Sequence, residues 1–350
     1  MKRRLSFLLA LLLLLGGLTA CTRYPQETIT EPPAETQAPA ETADPIGPDA
    51  PAETEAPAEA SAELADPHPL LWKVTDAEGR TLYLFGTIHV GDARSSAVLS
   101  RVIPVLDSCD ALAVEFDTLA YAQDTQKAVS DLQQFLLTDG SSISDYLPEE
   151  QVRRASDLMQ EAGLYPSLFS RYNLAMWSSL LDSAILMTRT ELKEEYGMDG
   201  LLLRHAHDCE IPVLEVESPD FQMSLLNSFD DEINRLSIAY KLDHLDEYAA
   251  GTAELYELWL SGDRDLLWNK LIEEDETEAA DYTEEQLALM EDYNTRMLDE
   301  RNLGMRDKAL SYLSEGKTVF FAVGAAHMAN EGGLVQLLQD AGCTVEPIEY

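Results

Sequence analysis

Residues 81–91 read TLYLFGTIHVG, and residues 317–328 read KTVFFAVGAAHM. Each is a short apolar run of β-formers that closes on Gly-x-x-His: Gly86 to His89, and Gly324 to His327. Upstream of the first, LLWKVTD and AEGR precede TLYLFGT, which predicts a β-hairpin turning at Gly79. Further apolar runs are ALAVEF at 111–116, IPVLEVE at 211–217 and CTVEPIEY at 343–350. Between them the apolar residues recur at spacings of three and four, as in LFSRYNLAMWSSLLDSAILM, and predict helices over 118–208 and 218–315. Residues 96–107 predict a helix broken or bent near Pro104. The pattern gives an α/β fold: a mixed central sheet with strands near both ends of the domain and a large helical insertion.

In open α/β sheets ligand sites gather at the carboxyl ends of the strands. Four strands here end in chemically capable residues: Gly86 and His89; Glu115 and Asp117; Glu215 and Glu217; Gly324 and His327. Glycine lets the chain turn sharply past each strand, so each histidine is expected to face a common crevice beside Glu115. One Gly-x-x-His is a weak signal, because a strand-end histidine is more often packed or solvated. Two copies, each after an apolar strand and accompanied by strand-end carboxylates, point to one site. Imidazole and carboxylate are ligands for divalent ions, with manganese, cobalt or zinc in view, and are also acid–base groups.

The amino terminus, MKRRLSFLLALLLLLGGLTAC, has a basic start, an apolar stretch and small residues before Cys21. That is the form of a secretory signal peptide. Leu18-Thr19-Ala20-Cys21 resembles the bacterial lipobox, so residues 1–21 are read as a lipoprotein signal with Cys21 as the lipidation site. Residues 22–69 are dominated by Pro, Ala, Glu, Thr and Asp, with PAET at 33–36, 39–42 and 51–54. Too little apolar surface is present there to offset ordering entropy, so a disordered tether is expected. Residues 70–350 remain as the folded domain. This placement puts the domain on the outer face of the bacterial cytoplasmic membrane.

The chain holds 64 acidic against 24 basic residues, a net −40. Such charge repels nucleic-acid backbone, so no nucleic-acid partner is expected. Cys109, Cys209 and Cys343 show no C-x-x-C spacing and imply no disulfide framework. His205 and His207, two apart on a helix, face different directions and are not expected to share an ion. His68 and His244 are read as solvated or structural.

The blocks LYLFGTIHVG, ALAVEFD, YGMDGLLLRHAHDCEIPVLEVESPDFQ and ERNLGMRDKALSYLSEGKTVFFAVGAAHMANEGGLVQLL resemble the TraB/GumN family, which includes the Tiki metalloproteases. They span essentially the whole domain. The chain departs from the family pattern at Asn330-Glu331-Gly332, where the family more often carries a glycine before the acid. The resemblance implies a metal-dependent, peptidase-like hydrolase acting on a peptide or protein. His89, His327 and Glu115 would be metal ligands, or would orient a metal-bound water, with Glu115 as the alternative general base. Arg301 and Asn302, read as late on a long helix, would hold a substrate carboxylate or an oxyanion. Glu217 would fix a histidine tautomer, and Asp199 would cap a helix near Gly200 or take part in catalysis. Gln222 completes the matching set. Two alternatives are a metal-independent esterase, given a distant likeness to erythromycin-esterase-like enzymes, and a binder that sequesters a peptide signal, as some TraB relatives do.

Overall fold

A computed structural model describes residues 68–278, 282–328 and 332–348; the signal segment, the lipobox, the tether up to residue 67 and Asn330-Glu331 lie outside them. Six strands form one sheet: β1 (Leu71–Thr75), β2 (Thr81–Thr87), β3 (Ala111–Val114), β4 (Val213–Glu215), β5 (Val319–Gly324) and β6 (Thr344–Pro347). Their spatial order is β4-β3-β5-β2-β1-β6. β2, β5, β3 and β4 run mutually parallel, while β1 is antiparallel to both of its neighbours. The β1–β2 hairpin turns at Gly79, whose φ of 80° suits a residue without Cβ.

The central strands β3 (ALAV) and β5 (VFFAVG) are apolar throughout because both faces are covered: every residue is buried except Gly324. One core packs against this sheet, with Phe85, Phe320, Phe321 and Trp259 among its largest members. A second core fills the helical region, built on Trp177, Phe135, Ile238 and Tyr293. At its centre Lys241 is fully buried against Asp182, Nζ to Oδ2 2.7 Å, and Tyr248 donates to Asp182 Oδ1 at 2.6 Å. A buried charge needs such a partner and hydrogen bonds.

The helix Ser95–Leu106 is continuous through Pro104. No break occurs at Pro104: the helix runs on to Leu106, and its cap residue Asp107 is itself still in αR geometry. Arg301 and Asn302 are not late on their helix. They stand in the first turn of Glu300–Ser314, which is separated from Glu284–Asn294 by a π-helical turn, Thr295–Asp299. Such turns recur at functional sites because the extra residue re-aims the side chains beyond it.

Candidate functional site

β2 and β5 are parallel neighbours, with Gly86 opposite Val323 and Thr87 opposite Gly324. The two Gly-x-x-His segments therefore leave the sheet side by side, whatever their separation in sequence. The glycines do not serve by turning the chain: neither is among the glycines with positive φ. Gly86 serves by close approach, since a Cβ there would lie 3.1 Å from Ala325 Cα and 3.3 Å from Met328 Cγ. Gly324 presents its N–H to Glu115 Oε1 at 3.0 Å.

Glu115 comes directly after β3 and sits at the centre of the floor. Its Oε2 accepts from Arg301 Nη2 at 2.6 Å and from Gln222 Nε2 at 2.9 Å. Glu217, beyond the end of β4, shares both donors: Arg301 Nε and Nη2 at 2.8 and 2.7 Å, and Gln222 Nε2 at 2.8 Å. Arg301 is thus engaged by two carboxylates, and a substrate carboxylate would compete with them. Glu217 secures Arg301 rather than a histidine. Burial alone would raise the Glu115 carboxyl, but Arg301, His327 and His89 outweigh it and hold Glu115 at about 2, so it is ionised at neutral pH.

The histidines take their orientation from Asn302 and Asp199. Asn302 Nδ2 donates to Gly332 O at 3.0 Å, which turns its Oδ1 toward His327 Nδ1 at 2.7 Å. The oxygen only accepts, so Nδ1 carries the ring hydrogen and Nε2 keeps a lone pair. Burial, helped by Arg301, pushes His327 down to about 3. It is therefore neutral, and its 3.9 Å separation from Glu115 Oε1 is not an ion pair. Two electron-pair donors face each other across that gap. His89 lies within electrostatic reach of both Glu115 and His327. Burial opposes its charging, but Asp199 prevails, aided by Glu115, and raises it to about 9. His89 Nδ1 lies 2.8 Å from Asp199 Oδ2, yet that oxygen accepts no aligned hydrogen bond, so the attraction is chiefly charge on charge. The other oxygen, Oδ1, accepts from Thr87 Oγ1 at 2.6 Å. Asp199 does not cap its helix: the cap position of Met198–Asp208 is Gly197.

The site deepens from mouth to floor. Side-chain exposure is 22% at His89 and 17% at Asp199, against 4% at His327, 8% at Glu115 and 3% at Arg301. The chemistry of the gap suits a divalent cation: a neutral ring nitrogen with its hydrogen tied back on an amide, opposite an ionised oxygen, at a separation spanned by two ligand bonds of ~2 Å. Gln222 Oε1 is a further buried acceptor with no hydrogen-bond partner. Among the described residues no three His, Cys, Asp or Glu side chains are gathered around one point for an ion.

Elsewhere, His205 pairs with Asp107 and His207 with Asp117, at 2.7 and 2.8 Å, so the two rings do face apart. Glu215 accepts from the Asp117 backbone N–H at 3.0 Å, outside the site. Two residues not singled out from sequence belong here. Gly197 packs against the His89 carbonyl, where a Cβ would stand 2.1 Å from the oxygen. Glu194 has its carboxyl raised by burial and opposed by the charge of His89. The only sequence signal for either was proximity to the motif Gly-Met-Asp, within an otherwise ordinary acidic stretch.

The described residues contain no helix long and apolar enough to cross a membrane. Over 270 residues the chain is 28% identical to protein YbaP of Escherichia coli (strain K12), covering 76% of this chain and 90% of that protein. The YbaP of Shigella flexneri matches to the same extent. No solved structure is significantly similar. The TraB/PrgY/gumN family model matches residues 70–347, the whole of the sheet and its helices. The chain belongs to the TraB/PrgY/gumN family.

Proposed function

We propose that this protein is a metal-dependent hydrolase of peptide or protein substrates, tethered by lipid at Cys21 to the outer face of the bacterial cytoplasmic membrane. The observation that carries the chemistry is the gap between the neutral His327 Nε2 and the ionised Glu115 Oε1, 3.9 Å wide, on a buried floor. His327 and Glu115 are the residues that would hold a manganese, cobalt or zinc ion. Such an ion lowers the pKa of bound water and polarises a carbonyl.

The remaining residues serve that floor. Arg301 keeps Glu115 ionised and fixes it against Glu217, and Gln222 ties the two carboxylates together. Asn302 keeps the His327 lone pair turned toward Glu115. His89 stands nearer solvent with a ring proton favoured by Asp199. That position suits a proton donor to a departing amine. Its greater exposure suits this role. The lipid anchor is supported by the residues before Cys21.

The test is a peptide-library digest by the full chain, read by mass spectrometry, with and without a chelator. Elemental analysis of the same sample accompanies it. Cleavage that is lost on chelation, restored by one divalent ion and absent in His327→Ala is expected. Ester cleavage indifferent to chelator would instead make it a metal-independent esterase. Peptide binding with neither metal nor cleavage would make it a sequestering binder. For the anchor, Cys21→Ser should release the protein from the membrane fraction, and unchanged partitioning would remove that part of the reading.

A further inference from the structure

The segment 193–199 clasps the first Gly-x-x-His turn along its length. Lys193 and Gly91 exchange backbone hydrogen bonds, Gly91 N to Lys193 O at 3.0 Å and Lys193 N to Gly91 O at 2.8 Å. Met198 N donates to Ile88 O at 2.7 Å, so His89 is pinned on both sides. Between these clasps lies the short turn Glu194–Tyr196, closed by Gly197 N donating to Glu194 O at 2.8 Å. Gly197 lets this turn sit directly on the His89 backbone, because any side chain there would overlap the carbonyl.

Glu194 is thereby held in the turn that packs on the His89 backbone, within electrostatic reach of the His89 ring. Its side chain is half-buried, and among the described residues it makes no hydrogen bond or ion pair. The nearest lysine in sequence does not satisfy it: Lys193 Nζ lies over the Tyr196 ring, 6.0 Å from its centre. Its neighbour Asp199 is already committed to Thr87 and His89. The Glu194 oxygens are not among the buried unsatisfied atoms, so the carboxylate stays open to solvent and is available to an arriving cation without first giving up a partner in the protein. Two carboxylates against one imidazole leave the mouth anionic, on a chain of net charge −40. The group that fits is a protonated amine.

We infer that Glu194 determines specificity, its carboxylate receiving an amine of the peptide substrate while the scissile bond reaches the floor at His327 and Glu115. The inference rests on the hydrolase reading for the second half of that statement, and on Glu194 alone for the first. An amine can come from the peptide's free amino terminus or from a lysine side chain. The chemistry is the same, and the two are separable by blocking either one.

Three pentapeptide probes of identical length do this: one all-alanine with a free amino terminus, one N-acetylated with a central lysine, and one N-acetylated with alanine throughout. Binding to the full chain is measured by calorimetry, and turnover by mass spectrometry, for the native protein, Glu194→Gln and Glu195→Gln. Glutamine is isosteric, and a thermal melt checks that each variant is folded. At least one amine-bearing probe should bind about tenfold more tightly than the fully blocked probe. Glu194→Gln should erase that preference and raise KM with kcat nearly unchanged, whereas Glu195→Gln should keep it. Which amine-bearing probe wins assigns the source. Equal binding of all three probes, no binding of any, or a preference that survives Glu194→Gln overturns the inference. A preference that depends on Glu194 but comes without turnover sustains the amine site and counts only against the hydrolase.

Discussion

Replacing Arg301 by methionine removes the one cation that two buried carboxylates share. Arg301 donates twice to Glu217 and once to Glu115, at 2.8, 2.7 and 2.6 Å, from a side chain only 3% exposed. Removing one partner of such a buried ion pair costs about 3–5 kcal/mol, because the charge left behind is neither solvated nor paired. Gln222 still bridges the two carboxylates, which favours the lower end, about 3 kcal/mol. For a domain of this size that corresponds to a fall in Tm of roughly 6–12 °C. The dependence on pH has a definite sign. In the native protein the Glu115 carboxyl is depressed from 4.5 to about 2, so it contributes stability above pH 4.5 that is lost as pH falls toward 2. Without Arg301, burial prevails and carries the carboxyl above its unfolded value. Glu115 then destabilises the variant at neutral pH, and protonation relieves that as pH falls. Urea unfolding monitored by circular dichroism at several pH values between 8 and 4.5 measures both effects. The gap between native and variant should be widest at pH 7–8 and should narrow below about pH 5. A gap under about 1 kcal/mol at pH 7, or one that widens on acidification, would refute the shared-cation account.

Gly197→Ala should abolish activity without altering any group at the reaction centre. Its Cβ meets the His89 carbonyl at 2.1 Å, so the histidine turn must move, at a cost of about 1–3 kcal/mol in stability. Retained activity with an unchanged melt would show that the clasp is slack. The thiols should differ in reactivity: Cys209 is exposed, Cys343 is buried, and Cys109 is half-buried, pushed up to about 12 by burial and donating to Val105 O at 3.2 Å. Titration with an aromatic disulfide reagent should therefore lose one fast-reacting thiol in Cys209→Ser, with Cys109 and Cys343 reacting only on unfolding; an unchanged fast amplitude in that variant would contradict the placement.

Strand-end carboxylates and paired Gly-x-x-His were enough to nominate Glu115, Glu217, His89 and His327, because short runs rich in β-branched and aromatic residues, such as VFFAVG, read as buried strands, and residues just past parallel strands gather at the carboxyl end of the sheet. The hairpin at Gly79 and the helical region were legible for the same local reason, a periodicity carried by neighbouring residues. Partnership was not legible. That Asn302 rather than Glu217 orients a histidine depends on side chains brought together from 25 residues apart in sequence. That Arg301 joins Glu115 to Glu217 depends on separations of 186 and 84 residues. The glycines show the same division. Their presence after each strand could be read directly, yet Gly86 is required by Ala325 and Met328 packing across from β5, not by its own backbone angles. Glu194 lay in an acidic stretch like many others in this chain, and only the clasp between Lys193 and Gly91 brings it within electrostatic reach of His89. The sequence by itself determined which residues lie at strand ends, since β-propensity and burial are read over a few neighbours. Only the tertiary structure decided which of those residues touch, because hydrogen bonds and charge act over ångströms in space, whatever the distance along the chain.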